Sequence, residues 1–169
     1  MSSALAQAFI GLGANLGADL QLALEEGLRG IAALPGTRVL AVSGAYRSAP
    51  LESCGPDYLN AVACVETALT PQALLDALLS IEAAHGRERP YRNAPRTLDL
   101  DLLSYADLCL DTPTLTLPHP RLQQRAFVLR PWLELAPDLA LPGIGRLADC
   151  LPSLQDQALE RLDAALAWR

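Results

Sequence analysis

The chain has 169 residues, 51% hydrophobic and 19% charged, with a formal net charge of -6. That length suits a single domain over 1–169 burying about two-thirds of its unfolded surface, the composition excludes wholesale disorder, and no window approaches ~20 continuous apolar residues. Thirteen Arg and no Lys exclude the usual P-loop NTPase, the protein kinase and the Schiff-base enzyme, each of which needs a Lys amine.

Met1 to Gln7 has neither the basic start nor the apolar run of a signal peptide, so a cytoplasmic chain is expected. Phe9 to Gly13 reads as a short buried strand ending in glycines, which tight turns would explain. Asp19 is placed to cap a helix whose apolar stripe is Leu20, Leu24, Leu28 and Ile31, and Pro35-Gly36 stops it. Val39 to Tyr46 is β-branched at intervals and predicts a second strand, followed by a turn-rich segment from Ser48 to Pro56. Asn60 to Leu69 predicts a third strand. Thr70-Pro71 then caps a helix carrying Leu74, Leu75, Leu78 and Ile81, with Gly86 placed to end it. Arg87 to Pro95 is almost free of apolar residues. Thr97 to Tyr105 alternates as a fourth strand, and Leu108 to Leu117 is expected to be its hairpin partner. From Gln123 the pattern is helical and loop-like, broken by Pro131, Pro137, Pro142 and Pro152. The order of the first six elements, β-α-β-β-α-β, predicts an α+β domain of ferredoxin-like type, with a C-terminal extension.

The sharpest chemical feature is Arg96-Thr97-Leu98-Asp99-Leu100-Asp101-Leu102. Strand residues two apart share a face, so Asp99 and Asp101 project side by side while Leu98, Leu100 and Leu102 turn to the core. Paired carboxylates repel unless a cation lies between them, and hard oxygen ligands suit Mg²⁺ shared with substrate phosphates. An isolated pair of this kind would read as a solvated strand face. Here Arg87, Arg89, Arg92 and Arg96 invert the local sign of an acidic chain, and guanidinium forks match phosphate oxygens. A basic patch for nucleic acid is the other reading, opposed by the acidic total and an aromatic content of 5%. His119, held between Pro118 and Pro120 and followed by Arg121 and Arg125, could donate to a phosphate or serve as a turn residue. Asn60 offers donors and an acceptor that suit the edge of a heterocycle. The two His and four scattered Cys make no zinc pattern, and the Cys read as small buried hydrophobes.

Together these pieces resemble the 6-hydroxymethyl-7,8-dihydropterin pyrophosphokinase family over nearly the whole chain. The resemblance is carried by Ile10 to Gly17, Tyr46-Arg47-Ser48-Ala49-Pro50, Asp57 to Ala61, Ile81-Glu82, Gly86-Arg87, Pro118-His119-Pro120-Arg121 and Arg125 to Leu129. Its most specific part is Pro95-Arg96-Thr97-Leu98-Asp99-Leu100-Asp101. It implies a ferredoxin-like fold and transfer of the β,γ-pyrophosphoryl group of ATP to the pterin hydroxymethyl oxygen, releasing AMP, in folate biosynthesis. By position it implies that Asp99 and Asp101 are ligands of two Mg²⁺ ions and that Arg87 and Arg96 clamp phosphates, with Arg89 beside them on a mobile loop. His119 and Arg125 resemble further triphosphate contacts, and Leu102 and Thr116 match the adenosine site. For the pterin, Asn60 resembles the reader of the polar edge, Tyr58 and Phe127 the aromatic sandwich, and Ser48, Ala49 and Leu51 the surrounding pocket. Asp101 or an oxygen held by the metal is the candidate to take the hydroxyl proton. The partners expected are the two small substrates, with no nucleic acid and no membrane, and the chain is expected to act as a monomer. The chain departs from the best-known bacterial pattern in a few places: the mobile loop is one residue shorter, Asn93 stands where a Trp often covers the pterin, Leu79 where a Gln can contact the nucleotide, and Pro120 where a Tyr often follows the His. A nucleotide or RNA binder and a metal-dependent phosphohydrolase are the readings from other classes.

Overall fold

The computed structural model describes residues 4–50, 55–85, 98–163 and 165–169. Its centre is an antiparallel sheet built from β1 (Ala6–Ala14), β2 (Thr37–Val42), β3 (Tyr46–Ser48), β4 (Tyr58–Thr67), β5 (Asp99–Tyr105) and a late strand near the C-terminus. β1 lies between β4 and β5, while β2 and β3 share the far side of β4. The ferredoxin-like order expected from the sequence is therefore present.

Two helices cover one face. α1 (Leu20–Ala32) is started by Asp19, whose carboxylate accepts the Leu22 N–H at 3.0 Å. α2 (Pro71–Ala84) starts with Thr70 accepting from Ala73 N–H and a proline in the first turn. Their buried stripes, Leu24, Leu28 and Ile31 with Leu74 and Leu78, pack on Ala8, Ile10, Leu12, Ala61, Ala63 and Leu100. Period-2 alternation then sends Phe9, Val62, Cys64 and Leu103 to the opposite face, where α3 (Ala126–Leu135) covers them with Val128, Leu129 and Trp132. α3 reaches only part of that face.

Several expectations need correction. The expected second strand is two: Ser43 N–H donates to Val62 O while its hydroxyl accepts from Val62 N–H, and Gly44 N–H turns to Glu134, so the ladder breaks between β2 and β3. The residues from Leu108 to Leu117 do not pair with β5; β6 (Leu110–Asp111) and β7 (Thr116–Leu117) pair with each other. Pro131 does not end α3, because the buried stripe on either side of it outweighs the lost backbone bond. Gly11 and Gly13 lie inside β1 without a positive φ, so turn geometry is not their reason; Gly17, at φ 126°, does have that reason. Cys64 is buried but Cys109 is exposed. Beyond α3, β8 (Ala140–Leu141) and β9 (Gly145–Arg146) form a small hairpin, a 3-10 segment Leu147–Leu154 closes the second core, and β10 (Leu159–Arg161) adds to the sheet beside β3. Among the described residues no helix is long and apolar enough to cross a membrane.

Candidate active site

The uncovered end of the α3 face gathers the candidate site residues of β4 and β5. Cross-strand register sets Asn60 opposite Gly13 and Gly13 opposite Asp99; one step on, Gly11 is opposite Asp101. At ~4.8 Å per strand, Asn60 and Asp99 therefore stand about 10 Å apart across a position with no side chain. A Cβ added to Gly13 would sit 3.5 Å from Asn60 Oδ1 and 3.8 Å from the Tyr58 ring. Gly13 keeps a trough open between the amide and the carboxylates, whereas Gly11 sits against the Leu103 side chain.

On one side of the trough, Asn60 is buried and its amide orientation is fixed. Nδ2 donates to the Tyr46 carbonyl at 3.0 Å and to Ser48 Oγ at 2.8 Å. A carbonyl can only accept, so the nitrogen must face it. Both amide protons are thereby used, and among the described residues no donor reaches Oδ1. Asn60 thus offers an acceptor alone, narrower than the donors and acceptor read from its residue type. Tyr58 lies on the same strand face two residues earlier. Its loop is tied to the end of β1 by Asn15 Nδ2, which donates to Pro56 O at 3.2 Å. Ala49 follows β3 and is exposed.

On the other side, a cleft of about 350 Å³ opens along the outer edge of β5, between α2 and the β6–β7 hairpin. Asp99, Asp101, Leu102, Thr116 and His119 all line it, as do Leu79 and Pro120. Asp99 and Asp101 are half-buried. β5 is held at this edge from two directions. The buried Glu82 carboxylate accepts the Leu100 N–H at 2.8 Å. Ile10 pairs with Leu102 and Phe9 with Ser104, so Leu103 is an extra residue, and its carbonyl accepts the His119 N–H at 2.9 Å. His119 Nδ1 accepts from Arg121 N–H, which leaves Nε2 as the ring's donor. Burial, followed by the Arg125 charge, pushes the His119 pKa down to about 4; Asp99 pulls it up and Arg121 further down. The imidazole is therefore neutral at pH 7. Arg125 lies over the Phe127 ring at 5.6 Å, so these two expected site residues meet each other.

Arg87, Arg89, Arg96, Leu51 and Asn93 lie outside the described residues. Glu82 was legible as part of a motif but not as a strand anchor; its signal is an acid four residues beyond Leu78 on the buried stripe of α2.

The family model for 7,8-dihydro-6-hydroxymethylpterin-pyrophosphokinase matches residues 9–137, which takes in β1 through α3 and both sides of the trough. The chain belongs to this family. It is 44% identical over 158 residues to 2-amino-4-hydroxy-6-hydroxymethyldihydropteridine pyrophosphokinase of Pseudomonas aeruginosa, covering 93% of this chain and 97% of the relative. To the enzyme of the same name from Methylorubrum extorquens it is 41% identical over 160 residues, 94% of this chain and all of the relative. A solved structure of wild-type HPPK-DHPS from Plasmodium falciparum with SDX-DHP superposes with a TM-score of 0.71 at 12% identity. That match covers 88% of this chain and 44% of the longer Plasmodium chain, and at such identity it speaks for the pyrophosphokinase family's fold alone.

Proposed function

We propose that the uncovered face of the sheet is where this chain carries out its family's reaction. As a member of that family it is an ATP-dependent pyrophosphokinase, transferring pyrophosphate to 6-hydroxymethyl-7,8-dihydropterin in folate biosynthesis. The observation that carries the site assignment is the row Asn60, Gly13, Asp99: a fixed amide, a gap and a carboxylate on one face. We assign the pterin to the Asn60 side, with Ser48, Ala49, Leu51, Tyr58 and Phe127 around it. The ATP lies along β5 against Leu102, Thr116, His119 and Arg125, with Arg87, Arg89 and Arg96 as phosphate clamps.

Asp99 and Asp101 fit a divalent cation. They share a face and line the cleft, and among the described residues no third carboxylate, His or Cys completes a protein cage. Such a donor pair suits Mg²⁺, which binds through one or two carboxylates and takes its other ligands from phosphates and water. When bound, two such ions would neutralise charge on the triphosphate. The protein's own residues then bind and align. Phosphoryl transfer is limited by in-line positioning and electrostatics, and here β5 is fixed at the Leu100 N–H and the Leu103 carbonyl. Neutral His119 adds a donor without adding a proton acceptor of ordinary basicity.

We read 1–169 as one pyrophosphokinase domain acting as a cytoplasmic monomer on small molecules rather than nucleic acid. The test is AMP release from ATP and Mg²⁺ with and without 6-hydroxymethyl-7,8-dihydropterin. AMP formed only with the pterin is expected. ADP in either tube would mean a different phosphoryl chemistry on the same carboxylates.

A further inference from the structure

The amide of Asn60 is fixed by β3 alone, through the Tyr46 carbonyl and the Ser48 hydroxyl. β3 is three residues long, and a strand so short holds its place only through its neighbours. On its outer side it pairs with β10, Arg161 opposite Tyr46 and Leu159 opposite Ser48. Both strands are gathered by one side chain from α3. Glu134 accepts from the Tyr46 hydroxyl at 2.7 Å, the Gly44 N–H at 2.7 Å, and Arg161 Nε at 3.0 Å. The Arg161 guanidinium lies 6.0 Å from the Tyr46 ring centre. It also lies close over Gly44, where an added Cβ would come within 2.6 Å of it, so a larger residue there would displace the guanidinium. Burial alone would raise the Glu134 carboxyl, but the bonds from Arg161, Tyr46 and Gly44 outweigh it and hold the group below its ordinary range. One carboxylate therefore joins the β2–β3 link, β3, β10 and α3, and of these β10 lies on the far side of β3 from Asn60.

We propose that Glu134 and Arg161 are positioning residues for the pterin half of the site, clasping β3 so that Asn60 presents its oxygen to the substrate. The proposal rests on the assignment of Asn60 to the pterin. It gives the C-terminal strand, which lies beyond residue 137, a part in the reaction. None of these groups faces the cleft along β5, so the clasp acts on one substrate and not the other.

The test is steady-state kinetics on folded variants with both substrates varied. Glu134→Ala and Arg161→Ala are expected to raise the KM for the pterin about tenfold, the equivalent of one lost oriented hydrogen bond, with the KM for ATP within about twofold. Arg161→Lys, which keeps charge but loses the fork, is expected to lie between wild type and Arg161→Ala. Asn60→Ala runs alongside. If it raises the pterin KM and Glu134→Ala does not, the clasp is overturned while the pterin assignment stands. An unchanged pterin KM in Asn60→Ala overturns the assignment and the clasp with it. Equal rises in both KM values for Glu134→Ala mean general loosening of the fold and also overturn the proposal. Should Glu134→Ala fail to fold, Tyr46→Phe removes a single hydroxyl from the carboxylate, and the same selective rise in pterin KM is required of it.

Discussion

The two faces of the central sheet are made by the same strands and do opposite work. On one, α1 and α2 cover Ala8, Ile10, Leu12, Ala61, Ala63 and Leu100 with a mostly apolar layer that Glu82 interrupts. On the other, α3 covers Phe9, Val62, Cys64 and Leu103 and then stops, leaving Gly11, Gly13, Asn60, Asp99 and Asp101 along the rest. Strand alternation is what makes the division possible, since each of β1, β4 and β5 gives one residue to the core and the next to the site. At the end of the sheet that α3 does not reach, core and candidate site are therefore separable by residue parity, and substitutions can test how cleanly.

The largest effect is expected at the open face. Asp99→Ala should lower kcat by about 10³-fold or more through loss of positioned charge, and steady-state AMP release measures it. The covered face should behave in the reverse way. Leu28, fully buried beneath the sheet, cut to Ala should destabilise by about 3 kcal/mol in denaturant unfolding while the remaining folded enzyme keeps both KM values. Gly13→Val sharpens the contrast, since it is a good strand residue that fills the trough. About a 100-fold loss of kcat/KM without a loss of Tm is expected, misplacement of the substrates being the cause.

How much of this was legible beforehand follows the same division. The alternation of Leu98, Asp99, Leu100, Asp101 and Leu102 declared both faces of β5, and Asp19 and Thr70-Pro71 announced their helices by local cap chemistry. Gly11 and Gly13 were misread as turn residues because a glycine's surroundings can lie in a neighbouring strand, here the Leu103 side chain beside Gly11 and the Asn60 amide beside Gly13. The insertion at Leu103 leaves no local mark, since it exists only against Phe9 and Ile10. β10 was missed for a related cause: Leu159-Glu160-Arg161 has no strand pattern and is held by pairing with β3 and by Glu134. Asp99 and Asp101, paired by spacing alone, do share one face of β5 and line one cleft, but the directional fact about Asn60, that its protons are already used, depends on Ser48 and Tyr46 being beside it.

The smallest effect expected concerns pH. His119 has a folded pKa of about 4, below its ordinary 6.5, so between those values the unfolded chain binds a proton that the folded chain does not. Stability should thus rise with pH from about 4 to about 6.5 and be lost as pH falls through that window. His119→Gln should flatten that limb in thermal unfolding without substrates, whereas an unchanged slope would assign it to other groups.

The most direct test of the metal site on β5 is one paired measurement, kcat and Tm of Asp101→Ala. A fall in kcat of orders of magnitude with Tm little changed is predicted, because the carboxylate is half-buried and lines the cleft rather than the core. Turnover near the wild-type rate would contradict the assignment of the metal site to this face of β5.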